Sequence, residues 1–183
     1  MTTMTTLAIS ARSPRTRALG IVLAVGVLAL ASQFALPIPG TPVPITLQPL
    51  VVVLAGLMLG PVDGAAAMIL YLVAGAAGLP VFAPIGAPGI LRLLGPTGGY
   101  LLAYPVAAAL AGRYGAGRPS YATRAVAAAA GILVLYAGGM TQLAVITGSL
   151  SRAAVLGVLP FVAIDAVKAL VAAALSGSRR RAV

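Results

Sequence analysis

The chain contains no cysteine and no histidine, and its 183 residues include only two acidic residues. The lack of cysteine excludes disulfides and thiolate nucleophiles, and the lack of histidine excludes histidine-based catalytic triads. Metal sites built from these two residue types are excluded for the same reason. The sequence therefore predicts a protein that is not an enzyme of these classes, and it gives no sign of a metal or a cofactor.

Charged residues are also scarce, whereas apolar residues are abundant. Hydrophobic residues make up 61% of the chain and charged residues 8%, and the mean hydropathy is +1.09. A soluble domain of this length cannot hide so many apolar side chains in one core, so we predict an integral membrane protein embedded in a lipid bilayer. The apolar runs are continuous and lack the alternation of a membrane β-barrel. The predicted fold is an all-α integral membrane protein, a single six-transmembrane-helix bundle.

Six apolar segments are predicted to span the membrane. The second is short, because about 14 residues cover about 21 Å, less than the roughly 30 Å of a hydrocarbon core. It must therefore be shielded by protein. Asp63 is predicted to lie in the turn before the third span, and Pro160 is predicted either to bend the sixth span or to free a carbonyl acceptor in it. The spans are residues 18–36, 46–59, 65–79, 99–112, 125–146 and 153–175, within a membrane domain of residues 18–176.

The arginines indicate how the bundle is oriented. Nine of them belong to the N-terminal arm, the fourth-to-fifth connection and the C-terminal tail, whereas Arg92 and Arg152 lie on the other side. By the positive-inside rule the nine face the cytoplasm, which predicts that both termini are cytoplasmic. Residues 1–17 are predicted to form a disordered arm, and residues 177–183 a basic tail. The net charge of +10 does not indicate nucleic acid, because the arginines flank apolar runs.

The first span allows two further interpretations. Residues 29–31 (Ala-Leu-Ala) follow a basic region and an apolar run, as a signal-peptidase site does. Cleavage is disfavoured, because it would leave an odd number of spans and the apolar run continues past the site. Gly20 and Ala24 have small-xxx-small spacing, which favours close helix packing over a docking face for a partner protein.

Residues 82–98 are rich in glycine and proline, yet they include many apolar side chains and only one charge, Arg92. Backbone of this kind is tolerated near a membrane where it folds onto the bundle or lines a cavity, so we expect a lid or re-entrant plug on the external side. Arg92 is predicted either to bind an anionic ligand or to snorkel to the interface. The run GPTGGY at residues 95–100 is not a P-loop, because the only lysine of the chain is Lys168.

Asp165 and Lys168 are the only acidic residue and the only lysine within a predicted span. At the bilayer centre each costs roughly 2.5 to 3.5 kcal/mol, which the apolar residues of the span barely offset. Residues at i and i+3 share one helix face, so both side chains can point into an interior pocket and meet a polar ligand. The alternative is an ion pair that only fixes helix packing. Gln48 and Tyr100 are further candidates on the outer side, with packing or capping as the alternative.

Four stretches of the chain carry a resemblance to a known family. They are VPITLQPLVVVLAGLMLGP at residues 43–61, YLVAGAAGLPVF at residues 71–82, GPTGGY at residues 95–100, and Asp165-x-x-Lys168 after Pro160-Phe161. In this order and spacing they resemble the BioY family, the biotin-specific S components (substrate-binding subunits) of energy-coupling-factor (ECF) transporters. The resemblance covers nearly the whole chain, although the first, fourth and fifth spans match only in general character.

The resemblance implies a six-helix bundle that captures biotin from outside and delivers it across the cytoplasmic membrane. It implies two further partners, an ECF transmembrane coupling protein and cytosolic ATP-binding subunits that supply ATP hydrolysis. Asp165 and Lys168 look like the ligand-contacting pair of the family. A carboxylate suits the ureido N–H groups of biotin, and an ammonium suits the ureido carbonyl or the biotin carboxylate. Arg92 is the other candidate for that carboxylate.

The chain departs from the family pattern in one place. Ala83 follows Phe82, and the loop beyond it contains no asparagine. A side-chain amide from this loop is therefore not available to the ureido ring. We expect binding to rely more on Gln48 or on backbone groups.

Three other functions remain as alternatives. An intramembrane hydrolase would use Lys168 as a base for a serine, but the nearest serines in sequence, Ser151 and Ser176, lie at the predicted ends of the same span. A membrane scaffold would show no saturable binding of a small ligand. An S component for another vitamin, such as pantothenate, riboflavin or thiamine, would be separated from a biotin protein by competition.

Overall fold

The computed structural model of the protein describes residues 13–177, which fold mainly into helices. The predictions for residues 1–12 and 178–183, with Arg12 and the last three arginines, lie outside the described residues. Two short strands pair antiparallel, with Ala35 opposite Thr46. In chain order the elements are α1 (Pro14–Gln33), β1 (Ala35–Leu36), β2 (Ile45–Thr46), α2 (Gln48–Leu59), α3 (Pro61–Ala76), α4 (Leu91–Leu94), α5 (Gly98–Gly115), α6 (Tyr121–Thr147), α7 (Leu150–Gly157) and α8 (Val162–Gly177).

The first helix begins earlier than the predicted span. Ser13 caps it, because its hydroxyl oxygen accepts a hydrogen bond from the backbone N–H of Thr16 at 3.2 Å. Pro14 follows at the first helical position, where its fixed φ suits a helix and no N–H is needed. Residues 14–17 are therefore helical, and for them the prediction of a disordered arm is wrong.

Asp63 lies in the first turn of α3 and is buried, so the prediction that it occupies a turn is wrong. The reason is Pro61, which starts α3 directly after Gly60 and leaves no longer connection. Arg17 binds both carboxylate oxygens of Asp63, with the shortest distance, 2.6 Å, between Nη2 and Oδ1. This ion pair ties the start of α1 to the start of α3.

The sixth predicted span consists of two helices, α7 and α8, which meet at an angle of 58°. The predicted bend near Pro160 is thereby confirmed. Because Pro160 has no N–H, the carbonyl of Leu156 has no helical donor, and the hydroxyl of Thr41 donates to it instead at 2.6 Å. The next carbonyl, that of Gly157, accepts from the hydroxyl of Tyr100 at 2.5 Å. The break is thus held by two hydroxyl groups from other parts of the chain.

Helix α5 packs against α2, α3 and α6 and lies at the centre of the bundle. Its closest approach is to α6, where the backbones of Gly99 and Gly138 meet. A Cβ atom on Gly138 would lie 2.5 Å from the carbonyl oxygen of Gly99, which is closer than any real side chain comes. Small residues permit this kind of close packing between membrane helices. Gly20 is also close to a neighbour, since a Cβ there would lie 3.0 Å from the Leu59 side chain.

The helix ends gather at two opposite ends of the bundle. At one end the start of α1 contacts the start of α3, and Arg124 of α6 donates to the Ala173 carbonyl of α8 at 3.0 Å. Arg124 was predicted to lie in the fourth-to-fifth connection, but α6 starts before it and buries it. At the opposite end lie residues 34–47, residues 77–97 and the break between α7 and α8. This second end contains the candidate site.

Within residues 13–177, two helices, α1 and α6, are long and apolar enough to cross a membrane, and α7 with α8 makes a third, bent candidate. Helices α2 and α3 are apolar but shorter. Large apolar side chains such as Leu23, Val126 and Val145 are exposed on the outside of the bundle, where only lipid suits them. The protein is therefore a mostly helical membrane protein.

Candidate ligand-binding site

A cavity lies between α2, α5, α6 and α8 at the end of the bundle that carries the loops. Its empty space, with the open mouth included, is about 690 Å³. Aromatic and aliphatic side chains form most of the wall, among them Phe82, Leu101, Leu135 and Phe161. All five residues predicted from the sequence line this cavity, namely Gln48, Arg92, Tyr100, Asp165 and Lys168.

Asp165 and Lys168 form a buried ion pair in the wall of the cavity. Asp165 is 4% exposed and Lys168 is 5% exposed, and Lys168 Nζ lies 2.6 Å from Asp165 Oδ1. The pair follows the helix break, so it lies in the first two turns of α8. An ammonium has three N–H donors, and one is used here, which leaves two among the contacts of residues 13–177. The pair is therefore able to meet a ligand as well as to join neighbouring turns.

Tyr136 of α6 is a site residue that the sequence did not reveal. Its hydroxyl donates to Asp165 Oδ2 at 2.8 Å, and its side chain lines the cavity. Each oxygen of the carboxylate therefore has one donor, Lys168 for Oδ1 and Tyr136 for Oδ2. A carboxylate oxygen can accept two hydrogen bonds, so both keep capacity for a ligand. A tyrosine within a long apolar helix is the only sequence signal, and it does not say which way the ring points.

Arg92 lies in α4, in the loop between α3 and α5, and is 7% exposed. Its guanidinium donates to the carbonyls of Ala83, at 2.5 Å, and of Ile85. Burial lowers the pKa of Arg92 from its ordinary value, since the charged form is withdrawn from water. The Nε–H is buried without a partner among residues 13–177. Arg92 is thus a cavity residue and not a snorkelling one.

Gln48, at the start of α2, has its amide nitrogen 2.9 Å from the hydroxyl of Tyr71, which is fully buried in α3. The Tyr71 hydroxyl in turn donates to the carbonyl of Val81 at 2.9 Å. Tyr71 is a second tyrosine next to the site that the sequence did not identify, and unlike the partly buried Tyr136 it is fully buried. Gln48 therefore joins the cavity wall to the segment that follows α3.

Tyr100, at the start of α5, has the capping role that the sequence left open, whereas its contact with a ligand stays a prediction. Its hydroxyl caps the free carbonyl of Gly157 at the helix break, and its ring lines the cavity. A Cβ on Gly139 would collide with the Tyr100 ring, so only glycine at that position leaves room for the ring. The position of Tyr100 is therefore set from α6 and α7 together.

A family model described as the BioY family matches residues 4–183 of the chain. The chain belongs to the BioY family. The probable biotin transporter BioY of Pyrococcus horikoshii is 43% identical over 152 residues, which cover 83% of this chain and 88% of that protein. The biotin transporter BioY of Thermotoga maritima is 37% identical over 139 residues, which cover 76% of this chain and 82% of that protein. These similarities confirm the family that the sequence motifs indicated.

A solved structure supports the same assignment at the level of the fold. The crystal structure of the S-component for biotin from an ECF-type ABC transporter has a TM-score of 0.81 to this BioY-family chain at 22% identity. The match covers 94% of this chain and 96% of that chain. The chain therefore has a mostly helical fold similar to that of this S-component.

The hydrolase alternative finds no support in the geometry of this BioY-family chain. Ser151 is exposed and shares a hydrogen bond with Ser149, and Ser176 donates to the carbonyl of Ala173. Neither serine lines the cavity that contains Lys168. A BioY-family protein is a transport component and not an enzyme, in agreement with the prediction.

Proposed function

We propose that this chain is the biotin-binding component of an uptake system, which captures biotin from the external side and delivers it across the cytoplasmic membrane. The observation that carries this proposal is the buried Asp165–Lys168 pair, supported by Tyr136, in the wall of a cavity at the loop end of the bundle. The names of the relatives and of the solved S-component support biotin as the ligand.

The chemistry of biotin suits the polar groups of the cavity. Its ureido ring has two N–H donors and one carbonyl acceptor. Asp165 accepts the N–H groups, since an ionised carboxylate is acceptor-only, and Lys168 donates to the carbonyl. The fused ring is otherwise apolar and fits aromatic neighbours such as Tyr104 and Phe161. Gln48 and Tyr100 complete the proposed site.

Arg92 is proposed to bind the carboxylate of the valeryl chain. A guanidinium has five N–H donors, and two of those of Arg92 bind backbone carbonyls, so others can donate to a charged acceptor in the cavity that Arg92 lines. The guanidinium is already fixed by two backbone carbonyls, so little side-chain freedom is lost on binding. Lys168 then remains available to the ureido ring at the other end of the ligand.

The membrane arrangement is proposed to be six spans with both termini in the cytoplasm. The spans would be α1, α2, α3, α5, α6 and the bent pair α7–α8, within residues 18–176. The arginines of the described part of the chain support this orientation, since Arg17, Arg113 and Arg124 lie near the end of the bundle opposite the cavity. The cavity would then open to the exterior.

The proposed partners are an ECF transmembrane coupling protein and cytosolic ATP-binding subunits. The sequence has no P-loop motif, because its only lysine, Lys168, follows no glycine-rich loop. If ATP powers the transport, its hydrolysis is therefore supplied by other chains. The lipid bilayer is the other proposed partner, and it surrounds the apolar outer side of the bundle.

Biotin binding and competition test the proposal directly. The detergent-purified protein is expected to bind radiolabelled biotin saturably, and unlabelled biotin should displace it whereas excess pantothenate, riboflavin or thiamine should not. Displacement by one of those vitamins at a lower concentration than biotin would assign the chain to that vitamin. The absence of saturable biotin binding by folded protein would contradict the proposal.

Replacing Arg92 is expected to remove the preference for the biotin carboxylate. Wild-type protein should bind biotin about tenfold more tightly than biotin amide, and Arg92→Gln should reduce this ratio to about one, because a charged hydrogen bond contributes roughly 1.5 to 3 kcal/mol. The dissociation constants of both ligands measure the ratio. The exposed Arg152→Gln is the matched control and should leave it unchanged. Equal weakening of both ligands in Arg92→Gln would show that Arg92 only holds the loop.

A further inference from the structure

We infer that Tyr71 is a positioning residue, which orients the side-chain amide of Gln48 so that its carbonyl oxygen is the group offered to the ligand. The inference rests on the proposed function and deepens it, because it names a second hydrogen-bond acceptor for a cyclic urea. Tyr71 is fully buried and does not line the cavity, whereas Gln48 does. Tyr71 therefore acts through Gln48 and not by touching the ligand.

The protons of this small network determine the orientation of the amide. A tyrosine hydroxyl has one proton, and that of Tyr71 is donated to the Val81 carbonyl at 2.9 Å. Towards Gln48 the hydroxyl is consequently an acceptor, and it receives an N–H from Nε2 at 2.9 Å. The carbonyl oxygen of Gln48 accepts no hydrogen bond from any group in residues 13–177. It remains available on a side chain that lines the cavity.

The position of the Val81 carbonyl is fixed, because residues at the end of α1 bind residues 81 and 82. The hydroxyl of Ser32 lies 2.6 Å from the Val81 oxygen, and Gln33 Nε2 lies 3.2 Å from the carbonyl oxygen of Phe82. Ser32 is fully buried. The Tyr71 hydroxyl thus binds a carbonyl whose position does not depend on Tyr71 itself.

This arrangement matters because the two faces of an amide have nearly the same shape and opposite hydrogen-bonding character. Without Tyr71, a half-turn of the Gln48 amide would present N–H donors to the N–H groups of a ureido ring. The other acceptor, Asp165, already has one donor on each oxygen. Each of these oxygens can accept one more hydrogen bond, and a correctly oriented Gln48 carbonyl adds a further acceptor for the two N–H groups of the ring.

A double-mutant cycle on biotin affinity tests the inference. Tyr71→Phe is expected to raise the dissociation constant about tenfold, which is the upper end of what one hydrogen bond contributes. In a Gln48→Met background, the same Tyr71→Phe change should alter the dissociation constant by less than about twofold, because the amide it orients is gone. If the wild type binds biotin but the effects of Tyr71→Phe and Gln48→Met on the dissociation constant are additive, this inference alone is overturned. Failure of the wild type to bind biotin would overturn the proposed function together with it.

Two control variants separate positioning from structural support. Ser32→Ala removes a bond to the same Val81 carbonyl but leaves Gln33 bound to the Phe82 carbonyl and Gln48 bound to Tyr71, so biotin affinity should fall by less than it does in Tyr71→Phe. Tyr121→Phe removes a hydroxyl that donates to the Leu170 carbonyl, away from the cavity, and should have no effect on binding. If Ser32→Ala weakens binding as much as Tyr71→Phe does, the network only holds the segment after α3, and the inference is wrong.

Discussion

The double variant Asp165→Asn/Lys168→Met is expected to fold and to lose biotin binding by a factor of about 100 or more. Removing both charges leaves no unpaired ion in the interior, and replacing a buried ion pair with neutral groups is often neutral or stabilising. Binding should nevertheless fail, because the carboxylate acceptor and the ammonium donor are both absent. Equilibrium binding of biotin and thermal melting followed by circular dichroism measure the two effects.

The single variants behave differently for a physical reason. Asp165→Asn leaves the Lys168 ammonium buried at 5% exposure without a carboxylate, and breaking one side of a buried pair costs about 3 to 5 kcal/mol of folding free energy. We therefore expect each single variant to melt at a lower temperature than the double variant. Each single variant should also bind biotin more weakly than wild type does.

The second ion pair of the structure provides the matched control. Arg17→Gln/Asp63→Asn removes a pair that joins the starts of α1 and α3, at the opposite end of the bundle from the cavity. Biotin affinity should be unchanged in this variant. If the Asp165→Asn/Lys168→Met protein instead binds biotin like wild type, the pair near the cavity has a packing role only.

Replacing Gly138 by leucine is expected to disrupt the fold and, with it, the site. A Cβ there would collide with the Gly99 carbonyl and would lie 2.7 Å from the Ala103 Cβ, so α5 and α6 must separate. Overpacking typically costs about 1 to 3 kcal/mol, and contact with backbone places this case at the upper end. A loss of about 3 kcal/mol corresponds to a fall in melting temperature of about 10 °C for a chain of this size. Thermal melting in detergent measures the fall.

Gly26→Leu is the control for this prediction. Gly26 lies in α1, and a Cβ there would have nothing within 4 Å, so a larger side chain extends into lipid. The melting temperature of Gly26→Leu should stay close to that of wild type. A Gly138→Leu protein that melts like Gly26→Leu would contradict the close packing of α5 and α6.

Much of the helix layout could be predicted from the sequence, because proline and glycine separate continuous apolar runs. Gly60-Pro61 shows where two helices meet, and Pro160 shows where the sixth span bends. The same signals led to the wrong prediction that Asp63 lies in a turn. Pro61 ends no helix there but begins α3, so Asp63 lies in the first turn of that helix. The partner of Asp63, Arg17, is 46 residues away, and no local pattern indicates that contact.

The candidate site could be predicted only in part, for a related reason. Asp165 and Lys168 are three positions apart on one helix, so their proximity follows from helix geometry. Tyr136 lies on another helix, 29 residues from Asp165, and its contact depends on how α6 and α8 pack. Tyr71 reaches Gln48 only through the packing of α3 beside α2. In apolar helices without a polar face, the sequence does not reveal which side faces the interior.

A density map of the purified protein with biotin bound is the decisive measurement of the proposed site. The ureido ring is expected to lie in the cavity within hydrogen-bonding distance of Asp165 and Lys168, with the biotin carboxylate near Arg92. Biotin bound elsewhere on the protein, without contact to the Asp165–Lys168 pair, would show that this pair is not the biotin site.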